Sequence, residues 1–248
     1  MASDPCAAAP TPAPRDERAA GAGGRDAADT RRRLLDAAER LFAERGFSGT
    51  SMRAVTHEAG VSVSAANYHF GSKEALLRET LGRVIQPLNR VRLERLDALE
   101  RESTGAGLAL ESLLDAFLRP AIELRDESSL GRARYRQLAA RLFSDPPDVV
   151  AGLKRDHFGP VVLRFVHSLQ RALPDRDPEQ VEMAFELTIG MMVHVIAGQM
   201  DVHSHRASAV LPPNDELLAR MIRYAAGGLL ALPRVTAGGP VPSCEEAR

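Results

Sequence analysis

Tryptophan is absent from this chain, tyrosine occurs three times, and aromatic residues make up only 4% of it. Large rings able to build flat stacking sites are therefore scarce. Cysteine occurs twice, as Cys6 and Cys244 in the opposite tails. The pair supplies neither a disulfide framework nor a metal-ligand spacing, which suits a reducing compartment. Net charge is close to nil at −1, so any attraction to a polyanion has to be local. The longest apolar run, residues 189–198, is too short for a bilayer and contains His194. Asp4, Pro5, Asp16 and Glu17 interrupt the first residues, which do not read as a secretory signal. A soluble cytoplasmic protein without membrane contact is the expectation. A Gly-rich phosphate loop, a nucleophile beside a base and usefully spaced paired carboxylates are also missing, which leaves an enzyme without support.

What is present is ordinary in bulk. Hydrophobic residues at 44% and charged residues at 26% fit a globular chain, and 248 residues allow one or two domains. Arginine is the default cation: of 32 basic residues only Lys73 and Lys154 are lysines. Lys73 goes against that usage.

Residues 1–28 are rich in Ala, Pro, Gly and charge without a period, and read as a disordered arm. Residues 233–248 read the same way. Between them apolar residues recur at helical spacing, with no useful strand alternation and no repeat, so the class is all-α. The first helix starts near Asp29 or Thr30, buries Leu34, Leu35, Ala38, Leu41 and Phe42, and ends at Gly46. A second, capped by Thr50 or Ser51, stops at Gly60. A short third runs from about Val63 to Phe70. Ser72 then caps a fourth that extends to about Glu100, with Pro87 expected to kink it midway. Residues 107–124, 130–145, 148–173 (as one helix or two), 177–200 and 214–232 supply the remaining helices. The chain thus divides into a head, 29–80, and a helical body, 81–232.

Two short helices about a glycine turn, the second one polar, describe a helix-turn-helix. Val55, Ala59 and Val61 face inward and set the crossing, while Gly60 takes the left-handed backbone of the turn. The second helix of such a pair lies in a DNA major groove and offers its first and outer residues to base edges. Asn67 suits bidentate pairing with adenine, and Ser64 reads donors or acceptors. Tyr68 and His69 reach phosphate oxygens, and Lys73 at a helix start is placed to clamp one. Thr50 and Ser51 offer hydroxyls and backbone N–H groups to the opposite strand, with Arg53 and Ala65 completing the expected contact set. Arg31, Arg32 and Arg33 are either a solvated helix start or carry one phosphate contact. Residues 30–83 hold nine Arg/Lys against six Asp/Glu, a mild local surplus in a chain of net −1.

The stretch from Thr30 to Leu77, and above all the string Tyr68-His-Phe-Gly-Ser-Lys-Glu-Ala-Leu76, closely resembles the DNA-binding region of the TetR/AcrR family of transcriptional regulators. The resemblance implies a three-helix helix-turn-helix head on an all-helical ligand-binding and dimerisation body. It also implies a repressor that binds a pseudo-palindromic double-stranded operator as a homodimer. "NYHFGSK" with "RALPDRDPEQVEMAFELTIGMM" looks most like a branch that includes fatty-acid-responsive regulators, which implies a small apolar ligand such as a fatty acid or acyl derivative. Two positions depart from the usual pattern: Thr56 stands where alanine is common, and Ala66 where a larger aliphatic packs unless Val63 compensates. Asn67 stands where the family often has tyrosine or another polar residue, so base preference does not carry over. An alternative keeps the fold but acts through a protein partner without an operator of its own.

In the body, Phe117, Tyr135, Leu138, Phe143, Phe165 and Met192 are candidates for lining a ligand cavity, though each taken singly reads as core. The helix at 177–200 has two apolar stripes. Val181, Phe185, Ile189, Met192 and Ile196 form one, and Met183, Leu187, Gly190, Met191 and His194 the other. A helix apolar on both sides is fully buried or bridges core and partner. By resemblance to the family, the second stripe together with 215–232 supplies a dimer interface. Asp201, His203 and His205 alternate as metal ligands do only on an extended segment. Between a helix and Pro212-Pro213 they read as a solvated loop, and no metal or cofactor is expected.

Overall fold

The computed structural model describes residues 17–103, 107–124, 137–138, 147–197 and 212–235, with side chains at all of these except 17–25, 147–150 and 154. Among them are eight helices: α1 Glu17–Arg45, α2 Met52–Ala59, α3 Val63–Phe70, α4 Lys73–Glu102, α5 Leu110–Glu123, α6 Pro147–Ala172, α7 Pro178–Ile196 and α8 Asn214–Leu230. An isolated antiparallel bridge between Arg176 and Arg234 is the only extended pairing among the described residues. The all-α expectation holds.

The head forms around the stripe that the spacing marked. Leu34, Ala38, Leu41 and Phe42 of α1 are buried with Val55 and Ala59 of α2 and Ala66 and Phe70 of α3. The helices α2, α3 and α4 are each started by a serine. The hydroxyls of Ser51, Ser62 and Ser72 accept from the N–H groups of Ala54, Ala65 and Ala75 at 3.1, 3.2 and 3.1 Å, satisfying one of the orphan donors at each helix start. Ser51 rather than Thr50 is therefore the cap of α2. Gly60 ends α2 at φ +63°, and a β carbon there would lie 2.7 Å from the Arg33 guanidinium. The Arg33 side chain donates to the Gly60 carbonyl at 3.1 Å, tying α1 to the turn.

Two departures from the family pattern resolve locally. The Thr56 hydroxyl is buried and donates to the Arg53 carbonyl at 3.0 Å, so it leaves no polar group unsatisfied. Ala66 is fully buried, whereas Val63 is 41% exposed and turned away. The helices close on the small side chain itself, and Val63 does not compensate.

The termini differ from expectation. α1 begins at Glu17, so part of the arm read as disordered is helix. Its alanines favour the helix, and lengthening an existing helix carries no nucleation cost. At the other end residues 233–235 are held: the Val235 N–H donates to the Asp175 carbonyl at 2.9 Å, and Asp175 pairs with both Arg176 and Arg234 at 3.0 Å.

α4 connects head and body as one unbroken helix through Pro87. The ring is exposed, so the Arg83 carbonyl that lacks its helical donor is left on the solvent side. Near its start, Glu79 pairs with Arg31 and Arg83 with Asp36. Further along, Asn89 donates to the His157 carbonyl at 2.7 Å, and Arg164 pairs with Asp97 and Glu100 at 2.8 Å. Behind α4, Phe117 of α5 meets Phe165 of α6 and Phe185 of α7 edge-on at 5.1 and 4.8 Å. α8 packs across α5 and α7.

The contact between α4 and α6 is tight at Gly82, where an added β carbon would lie 3.1 Å from the His157 ring. Burial is the main cause holding the imidazole below the ordinary histidine range. The Arg78 backbone and the Asp156 carboxylate work against it, while the Arg78 guanidinium adds to it. With the folded value depressed, the unfolded chain takes up the extra proton first as pH falls below about 6.5, so folding loses stability there. His157→Gln is expected to flatten the stability–pH curve between about pH 7 and 5, measured by urea unfolding. An unchanged slope would show that another group carries the dependence.

Candidate nucleic-acid interface

α3 presents a polar outer face because its inner face is spent on packing. Ala66 and Phe70 are buried, Ala65 and His69 half-buried, and Val63, Ser64, Asn67 and Tyr68 exposed, Tyr68 by 85%. Val63 and Asn67 lie one turn apart on one flank, and Ser64 and Tyr68 likewise on the next. The Tyr68 ring meets His69 edge-on at 5.4 Å, which steadies both. Beside this helix the first turn of α2 exposes Ser51 and Arg53. Arg53 has no ion pair among the described residues.

Of the expected contact set, Ser51, Arg53, Ser64, Asn67 and Tyr68 are exposed, Ala65 and His69 are half-buried, and Thr50 and Lys73 are engaged by the fold. Thr50 is 2% exposed, and its hydroxyl faces the carbonyls of Gly46 at 2.8 Å and Leu41 at 3.1 Å. Its side chain closes the loop after α1 and is not offered to DNA. Lys73 is also turned inward. Its ammonium donates to the carbonyls of Phe47 and Thr50, both at 3.1 Å, and lies 3.9 Å from the centre of the Phe47 ring. A cation over an aromatic face with two carbonyl acceptors is a latch on the loop before α2. The three arginines at 31–33 are engaged as well, with Glu79, Asp29 and the Gly60 carbonyl respectively.

In the body, Phe117, Phe165, Met192 and Leu138 are buried, the first two in ring contact, and Tyr135 and Phe143 lie outside the described residues. Asp201, His203 and His205 also lie outside them. Among the described residues no three His, Cys, Asp or Glu side chains group to hold a metal, and no helix is long and apolar enough to cross a membrane. Sequence reasoning missed Arg92, 1% exposed at the centre of this cluster. Its guanidinium lies 4.0 Å from the Phe117 ring centre and donates to the Phe117 carbonyl at 2.9 Å and toward Met192 Sδ at 3.3 Å. The available signal was its place on the stripe Ile85, Leu88, Arg92 and Leu96, where an apolar residue is the norm.

The family model described as bacterial regulatory proteins, tetR family, matches residues 34–80. A second, described as the tetracyclin repressor-like C-terminal domain, matches residues 115–228. The transcriptional repressor KstR2 of Rhodococcus jostii is 33% identical over 135 residues, which cover 54% of this chain and 59% of that protein. The regulator BetI of Brucella canis is 38% identical over 60 residues, 24% of this chain and 30% of that one. The chain therefore spans less than two thirds of these two relatives. UidR of Escherichia coli is 29% identical over 206 residues, 83% of this chain and 95% of that one. Among solved structures, a regulator from Pseudomonas aeruginosa PAO1 has a TM-score of 0.56 at 19% identity, covering 81% of this chain and 90% of that chain. GusR of Salmonella enterica has 0.54 at 21% identity, covering 82% and 96%. The two structures establish the fold.

The two basic residues have opposite expected signatures. Lys73→Met is expected to weaken binding to a DNA duplex and lower head stability while leaving the salt slope unchanged. Arg53→Ala is expected to leave stability unchanged and reduce the slope of log K against log salt by about one unit. A slope lowered by Lys73→Met would return that residue to the phosphate contacts.

Proposed function

The chain belongs to the tetR family of bacterial regulatory proteins, and on that premise we propose that it is a transcriptional repressor that binds a pseudo-palindromic operator as a homodimer and is released by a small apolar molecule. The observation that carries DNA binding is the exposed Ser64, Asn67 and Tyr68 face of α3 beside the unpaired Arg53. A single head of this size buries too little surface to select one site in a genome, so two must be held at fixed spacing. The half-sites then lie about one DNA turn apart, ~34–36 Å.

An apolar band supports the second copy. Met183 and Leu187 of α7 are 60% and 69% exposed, Gly190 and His194 continue the stripe outward, and Met191 is half-buried. The opposite stripe of α7, with Val181, Phe185, Met192 and Ile196, is buried in the body. α8 adds Tyr224, 76% exposed, and a groove of about 880 Å³ runs between the two helices, lined by Leu187, Met191, Tyr224 and Leu229 among others. Large apolar patches of this kind mark association surfaces. In this reading α7 and α8 pair with their copies to form a four-helix interface.

The ligand reading rests on the resemblance to a branch that includes fatty-acid-responsive regulators, with α4, α5, α6 and α7 meeting around Phe117, Phe165 and Met192 as the region where a small apolar molecule such as a fatty acid or acyl derivative would act. α4 is the element through which it acts, because the helix that flanks this cluster also carries the head. A ligand that favours one tilt of α4 changes the separation of the two heads, and it shifts that equilibrium only by its differential affinity for the two tilts. A coupling of ~1–3 kcal/mol corresponds to a change of roughly 5- to 150-fold in operator affinity.

Light scattering at micromolar concentration is expected to give a dimer for the natural chain and a monomer for Leu187→Glu, with unchanged helix content because the side chain is exposed. The monomer is expected to bind a selected operator roughly 100-fold more weakly, since two linked contacts become one. A monomeric natural chain, or full operator affinity in the monomeric variant, contradicts the reading.

A further inference from the structure

Two large apolar side chains remain exposed in the head among the described residues, and both lie on α3: Val63 at 41% and Tyr68 at 85%. Tyr68 has a ring contact with His69 and a hydroxyl that water satisfies. Val63 has neither. It stands at the first helical position after the Ser62 cap, where a branched side chain adds nothing to helix stability. It fills no gap either, because Ala66 beside it is already fully buried. The fold thus leaves the Val63 isopropyl group 41% exposed on the first turn of α3, one turn ahead of Asn67 on the same flank.

Resting on the operator-binding reading above, we propose that Val63 reads the 5-methyl group of a thymine one or two base pairs from the base that Asn67 binds. Thymine carries the one apolar group that bases present in the major groove, and an apolar side chain is its natural partner. The first residues of a recognition helix are those that reach base edges. Four residues of helix rise span ~6 Å, and stacked base pairs are ~3.4 Å apart, which sets the distance between the two contacts. Val63 and Asn67 then read a short A/T-containing element together, the amide taking donors and acceptors and the isopropyl group taking the methyl.

The test uses the full chain and an operator enriched from a random duplex pool. Each thymine of one half-site is replaced singly by deoxyuridine, which pairs identically and lacks only the methyl. The natural chain is expected to bind about fourfold more weakly at one such position, the worth of one buried methyl-sized group, and equally at the rest. Val63→Ser is expected to bind the thymine and deoxyuridine duplexes alike, whereas Asn67→Ala keeps the fourfold ratio. If the natural chain ignores every methyl, or Val63→Ser keeps the ratio, Val63 has no such role. A pool from which nothing is enriched overturns operator binding itself and this inference with it.

Discussion

The buried face of α4 is the constraint on which the rest of the molecule depends. Leu76, Leu77 and Leu81 belong to the core shared with the head, and Ile85, Leu88 and Leu96 to that of the body. No break separates the two sets, since the helix runs uninterrupted from Lys73 to Glu102. Head and body are thus two packings of one rod, and displacing one end requires the other to repack or to tilt with it. Close-packed cores resist partial displacement, so such a rod passes on a change of angle rather than absorbing it. The approach of Gly82 to His157 and the bond from Asn89 to the His157 carbonyl fix where the rod meets the body.

Within the head, polar groups divide by whether the fold itself uses them. Thr50 and Lys73 close the loop between α1 and α2, and Arg33 holds the turn at Gly60. Each of these side chains donates to carbonyls of α1, of the loop after it or of the turn at Gly60. Arg53, Ser64, Asn67 and Tyr68 face solvent and are free for a ligand. The inward set orients the outward set, which is how eight-residue helices of modest intrinsic stability present a defined surface. All four arginines at 31–40 belong to the inward set, tied to acidic side chains or a carbonyl.

In the body α7 carries two apolar stripes, one buried and one exposed. The stripe through Phe185 and Met192 joins the aromatic cluster with Phe117 and Phe165, and the stripe through Met183 and Leu187 is left outside. A chain that spends this much apolar surface on a solvent face gains nothing from it alone. The buried guanidinium of Arg92 lies at the other pole of this economy, a charge kept inside against an aromatic face and a carbonyl.

Much of this was legible in residue order alone. Helical spacing, the serine and glycine boundaries and the string from Tyr68 to Leu76 determined an all-α chain with a helix-turn-helix head, because caps, turns and amphipathic stripes are local and repeat every few residues. The two stripes of α7 were legible for the same reason. What only the tertiary structure decided is where side chains go when several choices are locally equal. Thr50 and Ser51 are both competent caps, and the acceptors at Gly46 and Leu41 take one of them away. Lys73 at a helix start is a plausible phosphate clamp until Phe47 and two carbonyls meet its ammonium. Val63 could fill or face outward, and the closure of the helices on Ala66 sends it out. Arg92 on an apolar stripe is buried through contacts with α5 and α7, which lie far away in sequence. Period and cap are properties of neighbours in the chain, whereas the partner of a long polar side chain is a property of the packed fold.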